Sequence, residues 1–195
     1  MKTIILTIFA FFFFAAPTSV HAALSSSKAQ DFVESMGAEA ISFLKNSNLS
    51  SSAKQEKFRA LLNRNFDLKT IGRFAMGRHW RTATPEQQKK YLRLFENMVV
   101  DIYASRFQEY EGQNFEVKSV REAGKNDFIV TSHIIPQGGQ TVQVDWRVRD
   151  RNGSPKIIDV IIEGVSMSLT QRSDFASVIQ RGGGNVAVLI SHLEK

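Results

Sequence analysis

Cysteine is absent from all 195 residues. That excludes disulfides, thiolate metal sites and lipid attachment through an N-terminal cysteine, so the fold must rest on a hydrophobic core. Long apolar runs are also missing beyond the N-terminus: no later segment approaches the roughly 18 residues that a bilayer-spanning helix needs. Acidic residues are in deficit, with 25 Lys and Arg against 19 Asp and Glu and a formal net charge of +6. Internal repeats and low-complexity stretches are absent past the first segment.

What the N-terminus does contain is Lys2, an apolar run from Ile4 to Ala16 with four consecutive phenylalanines, Pro17, and the small-residue sequence Val20-His21-Ala22. These features predict a secretory signal peptide over residues 1–22 and an exported, soluble chain. Residues 23–195 then form a single domain of 173 residues, within the usual range of roughly 100 to 200. Loss of Lys2 lowers the net charge to +5. For an exported chain this basicity points to anionic lipid headgroups or acidic patches on another protein, and nucleic acid is not an expected partner.

Helical periodicity comes first in the mature chain. Phe32, Val33, Met36, Ala40, Ile41, Phe43 and Leu44 predict an amphipathic helix from Ser25 to about Asn46. Ser52 and Gln55 read as a capping box opening a second helix through Phe58, Leu61, Leu62 and Phe66. Asp67 caps a short helix from Leu68 to Met76, with Gly77 ending it. Thr84-Pro85-Glu86-Gln87 is the sharpest signal, placing an N-cap hydroxyl, a first-turn proline and a returning glutamine in register. The helix it opens carries a wide stripe, Tyr91, Leu94, Phe95, Met98, Val99, Ile102, Tyr103 and Phe107, and is predicted to run to Gly112.

Beyond Gly112 the period becomes two, with strands predicted at Phe115–Arg121, Asp127–Ile135, Gln140–Asp150 and Lys156–Glu163. Gly124-Lys125-Asn126, Pro136 to Gly139 and Asn152 to Pro155 supply the turns of a twisted four-stranded antiparallel meander. In the third strand Val142, Val144, Trp146 and Val148 alternate with Gln143, Asp145, Arg147 and Arg149. In the fourth, Ile158, Val160 and Ile162 fall on one face and Ile157 and Ile161 on the other. Apolar residues on both faces demand a second covering layer, a partner or a greasy ligand. Helices follow from Leu169 to about Arg181 and, after Gly182-Gly183-Gly184, from Val186 to Leu193 with Asn185 as cap. Helices, then sheet, then helices define an α+β class.

Candidate chemistry is sparse. Gly164-Val165-Ser166 lacks the second glycine of a nucleophile elbow. His79, His133 and His192 have no partner at metal-binding spacing. Asp145 and Asp159 carry two readings: general bases with raised pKa in an apolar pocket, or carboxylates facing outward to pair with Arg147, Arg149 or Lys156. Two basic groups, Arg78 and Arg81 around Trp80 and the ladder Arg147, Arg149 and Arg151, are candidate docking sites for anionic surfaces or an acidic partner, or else merely solvated cations.

Three motifs in order resemble the MlaC family, the periplasmic phospholipid-binding proteins once called toluene-tolerance proteins. They are Phe66-Asp67-Leu68, Ile71-Gly72 and Gly77-Arg78-His79-Trp80-Arg81 with Thr84 to Gln88; Gly138 to Arg149 around Val144-Asp145-Trp146-Arg147; and Asp159 to Ser166 continuing to Arg172-Ser173-Asp174-Phe175. Together they cover Phe58 to Leu193. The resemblance implies a curved sheet packed by N- and C-terminal helices around an apolar cavity holding acyl chains. It further implies a shuttle carrying phospholipid, or in a sister branch a hopanoid, between an outer-membrane lipoprotein complex and an inner-membrane ABC-type transporter, without cofactor or catalysis. Face and period nominate Trp80, Phe95, Met98, Val99, Ile102, Tyr103, Val144, Trp146, Val160, Ile162 and Met167 as cavity lining. The rival readings are a small enzyme using Asp145 or Asp159 on an apolar substrate, and a pure docking module built on Arg147 to Arg151.

Overall fold

A computed structural model describes residues 24–105, 110–151 and 153–195. The predicted signal peptide, Phe107 at the end of the long stripe and Asn152 in the last hairpin lie outside the described residues. Among the described residues six α-helices flank an antiparallel sheet whose strands lie in chain order. Helix α1 spans Ser26–Lys45, α2 Ser51–Asn65, α3 Leu68–Met76 and α4 Pro85–Ala104, with a 3₁₀ turn at Gly77–Arg81 between α3 and α4. The strands are β1 Asn114–Glu122, β2 Asp127–Ile135, β3 Val142–Arg151, β4 Ser154–Ile162 and β5 Val165–Ser166, and α5 (Met167–Arg181) and α6 (Val186–Leu193) complete the chain.

Local chemistry sets most of these boundaries. At α4 both halves of the Thr84–Gln87 capping box form, at 3.2 and 2.9 Å. Asp67 accepts from the Thr70 amide to start α3, and Gly77 ends it at a φ of 59° that only glycine adopts without strain. The second helix begins two residues earlier than its predicted Ser52 cap: Ser50 is in extended conformation and accepts from Ala53 N. Among three successive serines the backbone bend, which composition does not reveal, selects the cap. Helix α4 ends at Ala104 rather than near Gly112.

The sheet has one strand more than the predicted meander. Glu163 and Gly164, both at positive φ, form a tight two-residue turn after β4, and β5 pairs back with Ile161 and Ile162. Register also changes which isoleucines share a face. Pairing between β3 and β4 passes from Arg147–Asp159 to Val148–Ile157, leaving Ile158 as the extra residue of a bulge. Simple alternation placed Ile157 opposite Val160 and Ile162. The bulge instead aligns Ile157, Val160 and Ile162 against Val148, Trp146 and Val144 on one inner face. A second irregularity at Lys118 lies in β1. Such bulges increase local twist and bend the sheet.

Two cores result. In the first, Ala29, Val33, Met36 and Phe43 of α1 pack with Leu61 on Phe128, Val130, Val148 and Ile157 of the sheet. In the second, Met76, Tyr91, Phe95, Phe175, Ile179 and Leu189 join α3, α4, α5 and α6. Tyr91 is fully buried, and its hydroxyl donates to Gly72 O at 2.8 Å. Burial pushes its phenol pKa far above the ordinary value, so it stays protonated. A parallel bridge between Phe66 and Ile157, with Asp67 N donating to Ile157 O at 2.9 Å, pins the α2–α3 junction to β4.

Candidate functional site: an apolar cavity

Between the two cores lies a cavity of about 640 Å³. Its helical wall comes from α4, where Phe95, Met98, Val99, Ile102 and Tyr103 follow one another at helical spacing. The facing wall is the inner face of the sheet: Phe115 of β1, Ile134 of β2, Val144 and Trp146 of β3, and Val160 and Ile162 of β4. Met167, at the start of α5, closes one side. Asp159 is the one charged residue among the described lining residues. Such a surface offers contact to hydrocarbon and almost nothing to an ion.

The sheet wall is held by a polar pin. Trp146 Nε1–H donates to Ser132 Oγ at 2.9 Å, and that hydroxyl donates to Val144 O at 3.1 Å. Ser132 is fully buried, and the described residues show no buried side-chain polar atom without a partner. The indole is thereby fixed as a plate, with the Phe115 ring set edge-on against it at 6.3 Å. The signal for Ser132 was available: it lies in the inner register of β2 between Val130 and Ile134, a polar residue on a greasy face.

Helix α1 contributes Met36, Gly37, Ala40, Ile41 and Leu44, and α2 adds Phe58, Leu61 and Leu62. Sequence reasoning missed this quarter of the wall, since amphipathic stripes do not say whether they meet a solid core or a hollow. Gly37 is the tight point. A Cβ built there would clash with the Phe115 ring at Cε1, so Gly37→Ala is expected to push that ring into the cavity and cost about 1–3 kcal/mol. A reduced denaturation midpoint together with lower ligand capacity checks this.

Trp80 is the exception among the nominated lining residues. It packs in the second core, edge-on to Tyr91 at 6.4 Å, and is absent from the cavity wall. The 3₁₀ turn that carries it bends away after α3, a detail that its proximity to the motif concealed.

The carboxylates do not make the predicted cross-strand pairs. Asp159 accepts from Ser166 Oγ at 2.7 Å and from Ser168 N at 3.1 Å, anchoring the start of α5, where Ser166 is the N-cap. Asp145 accepts only weakly, from the Gln143 amide at 3.3 and 3.4 Å. The cations of the third strand have other partners. Arg147 and Arg149 both reach Asp127, and Arg151 reaches Asp67. Those ladder arginines are engaged in ion pairs, whereas Arg78 and Arg81 are exposed with no carboxylate partner among the described residues. Burial and the adjacent Arg78 hold the His79 pKa below its ordinary value. No cluster of metal-ligating side chains occurs among the described residues, and none of their helices is long and apolar enough to cross a membrane.

Comparison with known proteins gives a consistent set of similarities. A family model described as MlaC protein matches residues 34–195, beginning well before the Phe58 at which the sequence motifs start. The intermembrane phospholipid transport system binding protein MlaC of Haemophilus influenzae is 24% identical over 133 residues, 66% of this chain and 61% of that protein. Toluene tolerance protein ttg2D of Pseudomonas putida is 24% identical over 106 residues, 54% of this chain and 49% of that protein. The chain therefore spans about half to three fifths of these two relatives. Among solved structures, the phospholipid-binding protein from Ralstonia solanacearum in complex with a phospholipid matches with a TM-score of 0.75 and 29% identity, covering 85% of this chain and 94% of that one.

Proposed function

The chain belongs to the MlaC family, and from that membership and its cavity we propose that it is a periplasmic lipid-binding transport protein whose cargo is a phospholipid. The observation that carries this reading is the hollow of about 640 Å³ between the two cores, walled by aliphatic and aromatic side chains with one carboxylate among them. A neighbouring structure at 29% identity holding a phospholipid supports it.

The energetics explain the need for such a cavity. At about 0.8 kcal/mol for each exposed CH₂, two acyl chains in water cost on the order of 20 kcal/mol. Unassisted crossing of an aqueous space is then negligible. A cavity replaces that exposure with apolar contact and requires no reactive group. The arrangement of Asp159, whose two carboxylate oxygens are taken up at the start of α5, gives no support to a base acting on an apolar substrate. In the proposed cycle the protein receives lipid from, and delivers it to, an outer-membrane lipoprotein complex and an inner-membrane ABC-type transporter.

Mass spectrometry of an organic extract of the purified protein tests the cargo. Phospholipid in near-stoichiometric amount is expected. A protein that carries no lipid, and acquires none from vesicles, overturns the proposal.

A further inference from the structure

Charge is distributed unevenly around the cavity. From Leu68 to Arg93 the chain carries seven cations against one carboxylate, Glu86. Among the described residues only Lys90 of these seven has an acidic partner, Glu194. Lys69 and Arg73 are exposed and four apart on α3, hence on one side of that helix. Arg172 of α5 stands over the Phe74 ring at 5.0 Å and approaches Gly77, so α3, the 3₁₀ turn and α5 share a continuous face. The single carboxylate on α5, Asp174, lies roughly 200° around the helix from Arg172.

The same face exposes apolar side chains. Leu169 is 56% accessible, Val165 53% and Phe74 38%. Leu169 sits between Ser168 and Thr170, both of which line the cavity, and three residues before Arg172. Exposed apolar groups beside the cations Lys69, Arg73 and Arg172, with the one exposed carboxylate on this face, Glu163, set apart next to Val165, suit the headgroup boundary of an anionic bilayer, where acyl surface and phosphate are both within reach. The other exposed apolar pair beside the cavity, Ile102 and Tyr103, has a different setting: neighbouring Asp101 accepts from Gln55, and Arg59 pairs with Glu96.

We propose that the α3–α5 face docks the protein directly on an anionic membrane surface, with Leu169 and Phe74 entering the interface and Lys69, Arg73 and Arg172 contacting lipid phosphates. The purpose assigned to this contact, bringing the cavity rim to the bilayer, rests on the cavity being the lipid site. The contact itself does not.

The full mature chain is sedimented with phosphatidylcholine vesicles with and without phosphatidylglycerol, at low and high salt, while bound lipid is measured separately by mass spectrometry. Binding to the anionic vesicles alone is expected, weakening as salt rises. Lys69→Glu with Arg73→Glu is expected to lower the partition coefficient by at least about 25-fold, from roughly a factor of 5 for each lost cation. Leu169→Asp is expected to lower it too, with circular dichroism unchanged in both variants. Equal binding to both vesicle types, or indifference to the charge reversal, overturns the proposal. So does binding to an acidic polypeptide such as polyglutamate without binding to anionic vesicles, which assigns the face to a protein partner. Failure of docking with lipid still in the cavity leaves the cargo reading standing, and the converse result separates them equally.

Discussion

Met98→Asp is expected to abolish lipid loading, by about a thousandfold in affinity, in a protein that remains folded. Met98 is half-buried on α4, where it lines the hollow and packs only on the margin of the second core. In the unloaded state the cavity has room for water, which can hydrate a carboxylate there. An acyl chain would strip that water away, and an uncompensated charge against hydrocarbon costs several kcal/mol; about 4 kcal/mol is a thousandfold. Loss of bound phospholipid by mass spectrometry, with unchanged circular dichroism, is the expected pair of readouts. Partial recovery of loading at acidic pH is expected as well, because protonation removes the charge. Full loading at neutral pH would take Met98 out of the acyl site.

Asp127→Ala is expected to act on stability instead of cargo. Asp127 is 5% exposed and holds two guanidinium groups, with Arg149 Nε at 2.6 Å and Arg147 Nη2 at 2.7 Å. Both arginines reach solvent, so their unpairing is cheaper than that of a fully buried ion pair, and a loss of about 2 kcal/mol is the appropriate scale. For a domain of this size that lowers the Tm by about 6 °C. The hydrogen bond from Arg149 is the largest influence on the Asp127 carboxyl. With Arg147 it outweighs burial and holds the pKa below the ordinary carboxylate range. At Asp67 burial pulls upward most strongly, but the Thr70 hydroxyl and amide, with Arg151, leave it lowered too.

A folded-state pKa below the unfolded value means that these carboxylates contribute stability above the ordinary carboxylate range. The contribution is lost as pH falls through that range and the depressed folded values. Wild-type protein is therefore expected to destabilise below about pH 5, as unfolded-state carboxylates begin to take up protons. Asp127→Ala should show a shallower acid limb in urea titrations. Parallel limbs would mean that Asp127 contributes nothing through its charge.

Most elements were legible because their signals are local. The Thr84–Gln87 capping box, Asp67 before α3, Asn185 before α6 and the period-two alternation of β3 each depend on residues a few positions apart; the three helices start where their caps place them, and β3 forms at Val142–Arg151 within two residues of the predicted Gln140–Asp150. The α4 stripe and the inner residues of β3 were likewise readable as apolar faces. The misreadings have a common origin in geometry between elements. Ile157 changes face through a one-residue bulge that leaves no mark in composition. Trp80 turns into the second core because the 3₁₀ turn redirects the chain. Asp127 was not singled out as the partner of Arg147 and Arg149, since a carboxylate at the first residue of one strand and two arginines on the next meet only through the register of β2 and β3.

By itself, then, the sequence determined an α+β chain with strong helix starts, a meander of alternating strands, more apolar faces than one solid core requires, and a surplus of cations. Tertiary structure decided that the faces of α1, α2 and α4 stand off from the sheet to leave a hollow, and which arginines are spent in ion pairs. The reason is physical: periodicity shows which side of an element avoids water, whereas the distance between two such sides depends on crossing angles, bulges and close approaches such as Gly37 to Phe115.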